Sequence, residues 1–343
     1  MKAKISLAIL MLGCVVVRMN AQDANPPAED HWKQVCAQAL VQPFTAPSFS
    51  NPQPESELRN CDSEALYYGF DGAPNPSAAL ECAYYQRAHP NPSIGDPFAG
   101  TGVLAMLYAN GQGVPRNYNL AIRFACENPW AAETETELRI AHLERLRDTG
   151  ETSQFDLCDN ATSGLMQGAC EDVHQKFADA KRRRELESLS SRWSPEVKQA
   201  FKALQQAEEE FENARTSDEV DLSGTGRAAF ALAEQGRLRD QFLINLKRFA
   251  KGEIPPASQA EHQAVDRRLN AVYQKIQKSP EEEWQYGTIR PAGIRDTQRA
   301  WLTLRDRWID FARLAYPALS AARLSTQLTR LRLHQLLSLG GAR

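Results

Sequence analysis

The chain has no cysteine after Cys170, no C-x-x-C pair, and no long apolar run beyond its first seventeen residues. Without C-x-x-C there is no basis for a zinc ribbon or a thioredoxin-type redox pair. A single apolar stretch, at the N-terminus, excludes a polytopic membrane protein. G-x-S-x-G, H-E-x-x-H and G-x-x-x-x-G-K are all missing, and the six His are scattered with no two at ligand spacing. No enzyme, metal or cofactor is therefore expected. Basic excess is lacking too: 40 Lys and Arg against 43 Asp and Glu give a net charge of −3, which argues against a nucleic-acid partner. The glycines of Leu222–Arg227 lack a following lysine and a preceding strand, so they read as a turn and helix cap. At 42% hydrophobic residues the chain is too apolar to be disordered, and 343 residues suggest two domains.

What is present begins with an address. Lys2 and Lys4 precede the apolar stretch Ile5–Val17, and Ala21 offers a small residue for cleavage, so residues 1–21 read as a secretory signal. Cleavage before Cys14, with a lipid as the only tie to a membrane, is the alternative; the three valines after Cys14 count against it. Removing residues 1–21 takes away Lys2, Lys4 and Arg18 and no acid, moving the charge from −3 to −6. Six cysteines then remain: Cys36, Cys61, Cys82, Cys126, Cys158 and Cys170. An even number in an exported chain implies disulfides formed in the periplasm or outside the cell, with the connectivity left open.

Periodicity predicts helices throughout, hence an all-α fold. Residues 22–56 form a Pro-rich segment with one short helix carrying Trp32, Cys36 and Leu40 on one face. Residues 57–150 contain two helix–glycine turn–helix units, Leu66–Ala83 and the clearer Gly102–Cys126. Their spacing resembles the Sel-like class of tetratricopeptide-related repeats. Cys82 and Cys126 occupy corresponding places on the second helices, which makes them the preferred pair. In residues 151–193 Cys158 and Cys170 flank a loop, and Thr162 or Ser163 caps a helix striped by Leu165, Ala169, Val173 and Phe177. The run Lys181–Arg184 and the acids Glu208–Glu210 read as solvated helix faces.

Residues 194–343 form the second helical domain, with a boundary near 185–195. Ser194-Pro195 opens one helix, Ser258 and Glu261 form a capping box for another, and Pro317 closes a third. Leu324, Leu328, Leu331 and Leu336 stripe the last. Two motifs stand out: Asp266, Leu269, Asn270 and Tyr273 in one helix, and Gln298, Arg299, Trp301, Arg305 and Asp306 in the next, preceded by Arg295. This D-x-x-L-N-x-x-Y and Q-R-x-W-x-x-x-R-D pattern resembles the lysozyme inhibitor LprI family of bacterial exported proteins. The resemblance implies a helical bundle that binds a protein partner, lysozyme, without catalysis. The family's frequent cysteine after the R-D pair is replaced by Arg307 and Trp308, and burial of Trp301 and Trp308, worth ~2–3 kcal/mol each, stands in for the disulfide. The motif polar residues read first as architectural: Asn270 and Gln298 tie loops to helix ends, and Arg305 stacks on the apolar stripe and pairs with Asp266 or Glu219. Contact with lysozyme would fall to the loop at 217–227 (Asp218, Glu219, Asp221), to that at 281–293 (Glu281–Glu283), or to Arg290 or Arg295. The alternative function is an envelope scaffold whose repeats present a concave surface to a protein partner.

Overall fold

The computed structural model describes residues 31–49, 52–90, 95–285 and 287–341. The signal segment, Cys14 and the tether through residue 30 lie outside the described residues. Among the described residues there is no strand, and no helix is long and apolar enough to cross a membrane.

The first half is built from α1 (His31–Val41), α2 (Glu55–Leu58), α3 (Ser63–Tyr68), α4 (Pro76–Ala88), α5 (Thr101–Asn110), α6 (Tyr118–Glu127) and α7 (Glu133–Thr149). Local signals set their ends. Asp62, Asn75 and Asn117 accept the third backbone N–H of α3, α4 and α6. Gly69 and Gly111 stop α3 and α5 at φ of 68° and 66°, a region closed to most side chains. The helix–turn–helix units thus form where the turn glycines place them. α5 is buried from Thr101 to Ala109, with Leu104 and Leu107 fully enclosed.

All six cysteines form disulfides: Cys36–Cys126, Cys61–Cys82 and Cys158–Cys170. The preferred Cys82–Cys126 pair is therefore wrong. Equivalent positions on successive hairpins do not face each other here; α1 packs on α6 and takes Cys126, while the segment before α3 takes Cys82. In α1, Cys36 is buried as expected, but Leu40 is exposed, and Val35 and Ala39 pack inward instead.

A 3₁₀ turn (Leu157–Asn160) then leads through Ser163, the cap, into α8 (Gly164–Ser190). The clipped loop is held on both sides. Buried Glu135 accepts the backbone N–H groups of Thr162 at 2.9 Å and Ser163 at 2.5 Å. Burial works against the Glu135 charge, but these N–H groups outweigh it and hold the carboxyl below its ordinary range. Asn110 donates to the Phe155 carbonyl and accepts from its N–H, both at 2.8 Å.

α8 joins the two apolar clusters. Met166 and Val173 belong to the first, with Leu104, Phe98 and Phe124; Leu186 and Leu189 pack on the second, with Phe201, Trp301 and Trp308. Of the stripe read from sequence, Val173 is buried and Ala169 packs on the first cluster, but its two ends are more open. Leu165 and Phe177 are 44% exposed each, and Gly164, Met166 and Gly168 face inward. The reason is α10 (Arg227–Ala250), which lies against α8. A Cβ at Gly164 would stand 1.9 Å from the Thr225 carbonyl oxygen, and one at Gly236 2.1 Å from Gln175, so bare glycine surfaces permit this approach.

α9 (Pro195–Asp218) pairs with α12 (Pro291–Ala315), and α11 (Gln259–Gln277) with α13 (Ala321–Gly341). Ser194 and Ser258 cap α9 and α11 as the sequence predicts, and Trp301 and Trp308 are 4% and 1% exposed. Both charged runs are largely the solvated faces expected, with Lys181, Arg183, Arg184, Glu209 and Glu210 exposed, but one residue of each turns toward a neighbouring helix. Arg182 is buried and donates to Asp240 at 2.7 Å, Asp179 at 3.0 Å and Gln175 at 2.9 Å. Glu208 faces a cavity between α8, α9 and α10. Burial, and then the neighbouring Glu212 charge, push its carboxyl up from 4.5 to about 8. Its ionisation therefore opposes folding: the stability present below pH 4.5 is lost as pH rises through about 8. Glu208→Gln is expected to melt above the wild type at pH 9 and with it at pH 4, measured by calorimetric scans.

Candidate functional site

α11 packs on α13 and α12 on α9, so α11 and α12 touch each other only sparsely. Between them lies a groove of about 240 Å³. Asp266, Leu269, Asn270 and Tyr273 line it from α11, and Arg295, Gln298, Arg299 and Trp301 from α12. A four-residue and a three-residue step along each helix put these positions on facing sides. The structure thus brings eight of the motif residues together. Arg305 and Asp306 do not line the groove. Arg305 sits over Trp301, 5.3 Å from the ring centroid, and its carboxylate partner is Asp306 at 3.1 Å, not Asp266 or Glu219.

The floor is apolar and fixed: Leu269 is 1% exposed and Trp301 4%. The rim is polar and open. Asn270, Arg295 and Arg299 are exposed, Asp266 and Tyr273 half-buried. Asn270 donates to Asp266 at 3.1 Å, within its own helix, so it ties no loop. Arg295 and Arg299 share one surface carboxylate, Asp296, at 3.5 and 3.2 Å. Exposed pairs of this kind are weak, so both guanidinium groups stay open to an anionic partner. Gln277 donates to the Pro291 carbonyl at 2.7 Å and sets how far apart the two helices start.

Beneath the floor is a polar network that sequence reasoning missed. Gln298 accepts from Arg332 Nε at 2.9 Å. Arg332, fully buried on α13, grips both oxygens of Glu219 at 2.8 and 2.5 Å. Arg215 donates to Glu219 as well and to Glu234 at 2.5 Å. Glu219 is therefore removed from the exposed loop where sequence placed it; its side chain is fully buried. A signal existed: Leu328, Arg332 and Leu336 are four apart, which puts an arginine on an apolar face.

The two remaining loop candidates are bolted to each other. Asp221 accepts the Thr288 N–H at 3.1 Å, and Thr288 Oγ1 accepts the Leu222 N–H at 2.8 Å. The N–H and hydroxyl of Ser223, then those of Thr288, hold the Asp221 carboxyl below its usual range. Asp218 moves the other way, raised by burial and then by Asp296 and Glu219. Glu282 and Glu283 are exposed within a 3₁₀ turn (Glu281–Trp284); the Glu281 side chain lies outside the described residues. Arg290 donates to its own loop carbonyls, Ile289 at 2.7 Å and Gly287 at 3.2 Å. Among the described residues no group of three His, Cys, Asp or Glu is placed to hold a metal ion.

No curated protein and no solved structure matches the chain. One family model does. Over residues 251–336, the stretch holding α11, α12, most of α13 and every groove residue, the chain is similar to the family described as lysozyme inhibitor LprI.

Proposed function

We propose that this chain is an exported, non-enzymatic binding protein that inhibits a lysozyme through the α11–α12 groove. The observation that carries the reading is the convergence of eight motif residues, all within the family-matched segment, on one groove. An apolar floor under a rim of open guanidinium groups suits a protein surface that carries carboxylates. A lysozyme cleft presents two such carboxylates across the scissile sugar bond. Arg295 suits that contact better than Arg290, whose donors are turned to its own loop. The net charge of −6 adds mild steering toward a basic enzyme. Three disulfides fit an oxidising compartment.

The test is titration of residues 22–343 against a c-type lysozyme, following cell-wall lysis and binding heat together. Stoichiometric loss of lysis is expected. Arg295→Glu and Arg299→Glu, both exposed at the rim, are each expected to weaken binding by roughly tenfold or more while the melting temperature holds. Undiminished lysis and no binding heat, with a c-type and then a g-type enzyme, would overturn the reading. The scaffold alternative rests on Sel-like repeats with a free inner face. α5 is less suited to it, because its residues Thr101–Ala109 are buried in one apolar cluster with Phe155, Leu157 and Met166.

A further inference from the structure

The floor of the α11–α12 groove holds one polar group that the bundle leaves without a partner. Gln298 is 6% exposed and lines the groove. Its Oε1 accepts from Arg332 Nε at 2.9 Å. A guanidinium can only donate, so this contact fixes which end of the amide points inward. Arg332 is itself gripped by both oxygens of Glu219, so turning the amide over would strand a buried donor. Gln298 Nε2 therefore points away from the core. No described residue accepts from it and it is not sealed off, so the groove is the space it opens to.

More donors stand at the rim. Arg295 and Arg299 are exposed one helical turn apart and share only the surface carboxylate of Asp296. The one carboxylate lining the groove is Asp266, which Asn270 already engages at 3.1 Å. Two guanidinium groups against one carboxylate leave the lining positive. Charge along the chain agrees: over residues 251–336, 14 Lys and Arg stand against 9 Asp and Glu, in a mature chain of net charge −6. A cation would meet the floor N–H and both arginines. A neutral acceptor would leave the rim charges unused. A carboxylate accepts from floor and rim together, through charge-assisted hydrogen bonds. The groove, at about 240 Å³, is smaller than the ~300–1,000 Å³ of drug-sized sites and suits a single side chain. Leu269, Trp301 and Leu302 give its methylenes an apolar surface.

We propose that the α11–α12 groove is a socket for one acidic side chain of a protein partner, with Gln298 Nε2 as the floor donor and Arg295 and Arg299 closing over it. The socket presupposes that this groove is the binding face of the chain; it adds the group taken and the residue that selects it. Selection is set from below. Glu219 orients Arg332, Arg332 orients Gln298, and the floor therefore offers a donor and not an acceptor.

Gln298→Glu is the deciding variant. Its carboxylate still accepts from Arg332, so the melting temperature is expected not to fall, while the floor donor becomes an acceptor. Two titrations of residues 22–343 read the result. The first adds Nα-acetyl-glutamate amide and follows the side-chain amide NMR signals, that of Gln298 being the one lost in the variant. Nα-acetyl-glutamine amide and N-acetylmuramic acid are the comparisons. A saturable shift of the Gln298 signal is expected with the glutamate derivative, and binding at least tenfold weaker with the other two. The second measures c-type lysozyme binding heat, with affinity expected to fall at least tenfold in Gln298→Glu. Saturable binding of the glutamate derivative without lysozyme binding keeps the socket and sinks the lysozyme reading. Equal lysozyme binding by wild type and variant, equal binding of the glutamate and glutamine derivatives, or no shift with any probe overturns the socket. Tighter binding of the sugar acid assigns the groove to a glycan and overturns the protein partner. If the variant melts low, the glutamate and glutamine comparison on the wild-type chain decides alone.

Discussion

Glu219→Gln is expected to cost about 3–5 kcal/mol of stability, the loss typical when one member of a buried ion pair is removed. Glu219 and Arg332 have fully buried side chains, and their bidentate contact is completed by Arg215 and Gln298. With a neutral amide at 219, Arg332 keeps its charge inside a core lined by Phe211, whose ring lies 5.7 Å beneath it. Arg215 retains Glu234, so the damage centres on Arg332. Thermal or urea unfolding measures the loss, at roughly 2–4 °C of melting temperature per kcal/mol for a domain of this size. The double variant Glu219→Leu with Arg332→Met is expected to lose less than the two single changes together, because no charge is left unpaired. A loss below about 1 kcal/mol for Glu219→Gln would mean that water reaches this pair. Because Gln298 both accepts from Arg332 and lines the α11–α12 groove, the same variant is expected to loosen the groove floor and weaken whatever binds there.

The second large effect belongs to Cys36–Cys126, which closes a sequence separation of 90. Restriction of the unfolded chain by a loop of that size is worth about 4–5 kcal/mol, against about 3 for a loop as short as the Cys158–Cys170 separation of 12. Replacing Cys36 and Cys126 together by Ser is expected to produce the larger loss. It also releases α1, whose other ties include the Trp32, Val35 and Ala39 contacts, the Arg123 hydrogen bond to the Ala39 carbonyl at 3.0 Å and the exposed His31–Glu144 bond at 2.9 Å. Equilibrium unfolding of the two double variants checks the order. Peptide mapping without reductant checks the pairing, with Cys126 recovered linked to Cys36 and not to Cys82.

Helix positions were legible because their determinants are local. Ser163, Ser194 and Ser258 each cap the helix the sequence assigned to them, and the 258–261 box closes in both directions. The motif residues were legible as a set from their spacing, and Trp301 and Trp308 as core from theirs. Their arrangement as a groove was not, since Asp266 and Tyr273 meet Arg295 and Gln298 across two helices whose separation depends on α9 and α13.

By itself the sequence determined an all-helical chain, the limits of its helices, six cysteines to be joined and the apolar floor of the C-terminal bundle. Tertiary structure decided the partners, and the phase wherever a neighbouring helix overrode the local pattern. Cys126 takes Cys36 because α1 lies on α6. Leu165 turns outward because α10 and the turn before it dock on Gly164 and Gly168 of α8. Glu219, written in an acidic turn, is buried because an arginine on a leucine-rich helix arrives from 113 residues away. The physical reason is common to all three. Caps and periodicity act within one or two turns of a helix, whereas a helix face becomes inside or outside only when another helix packs on it.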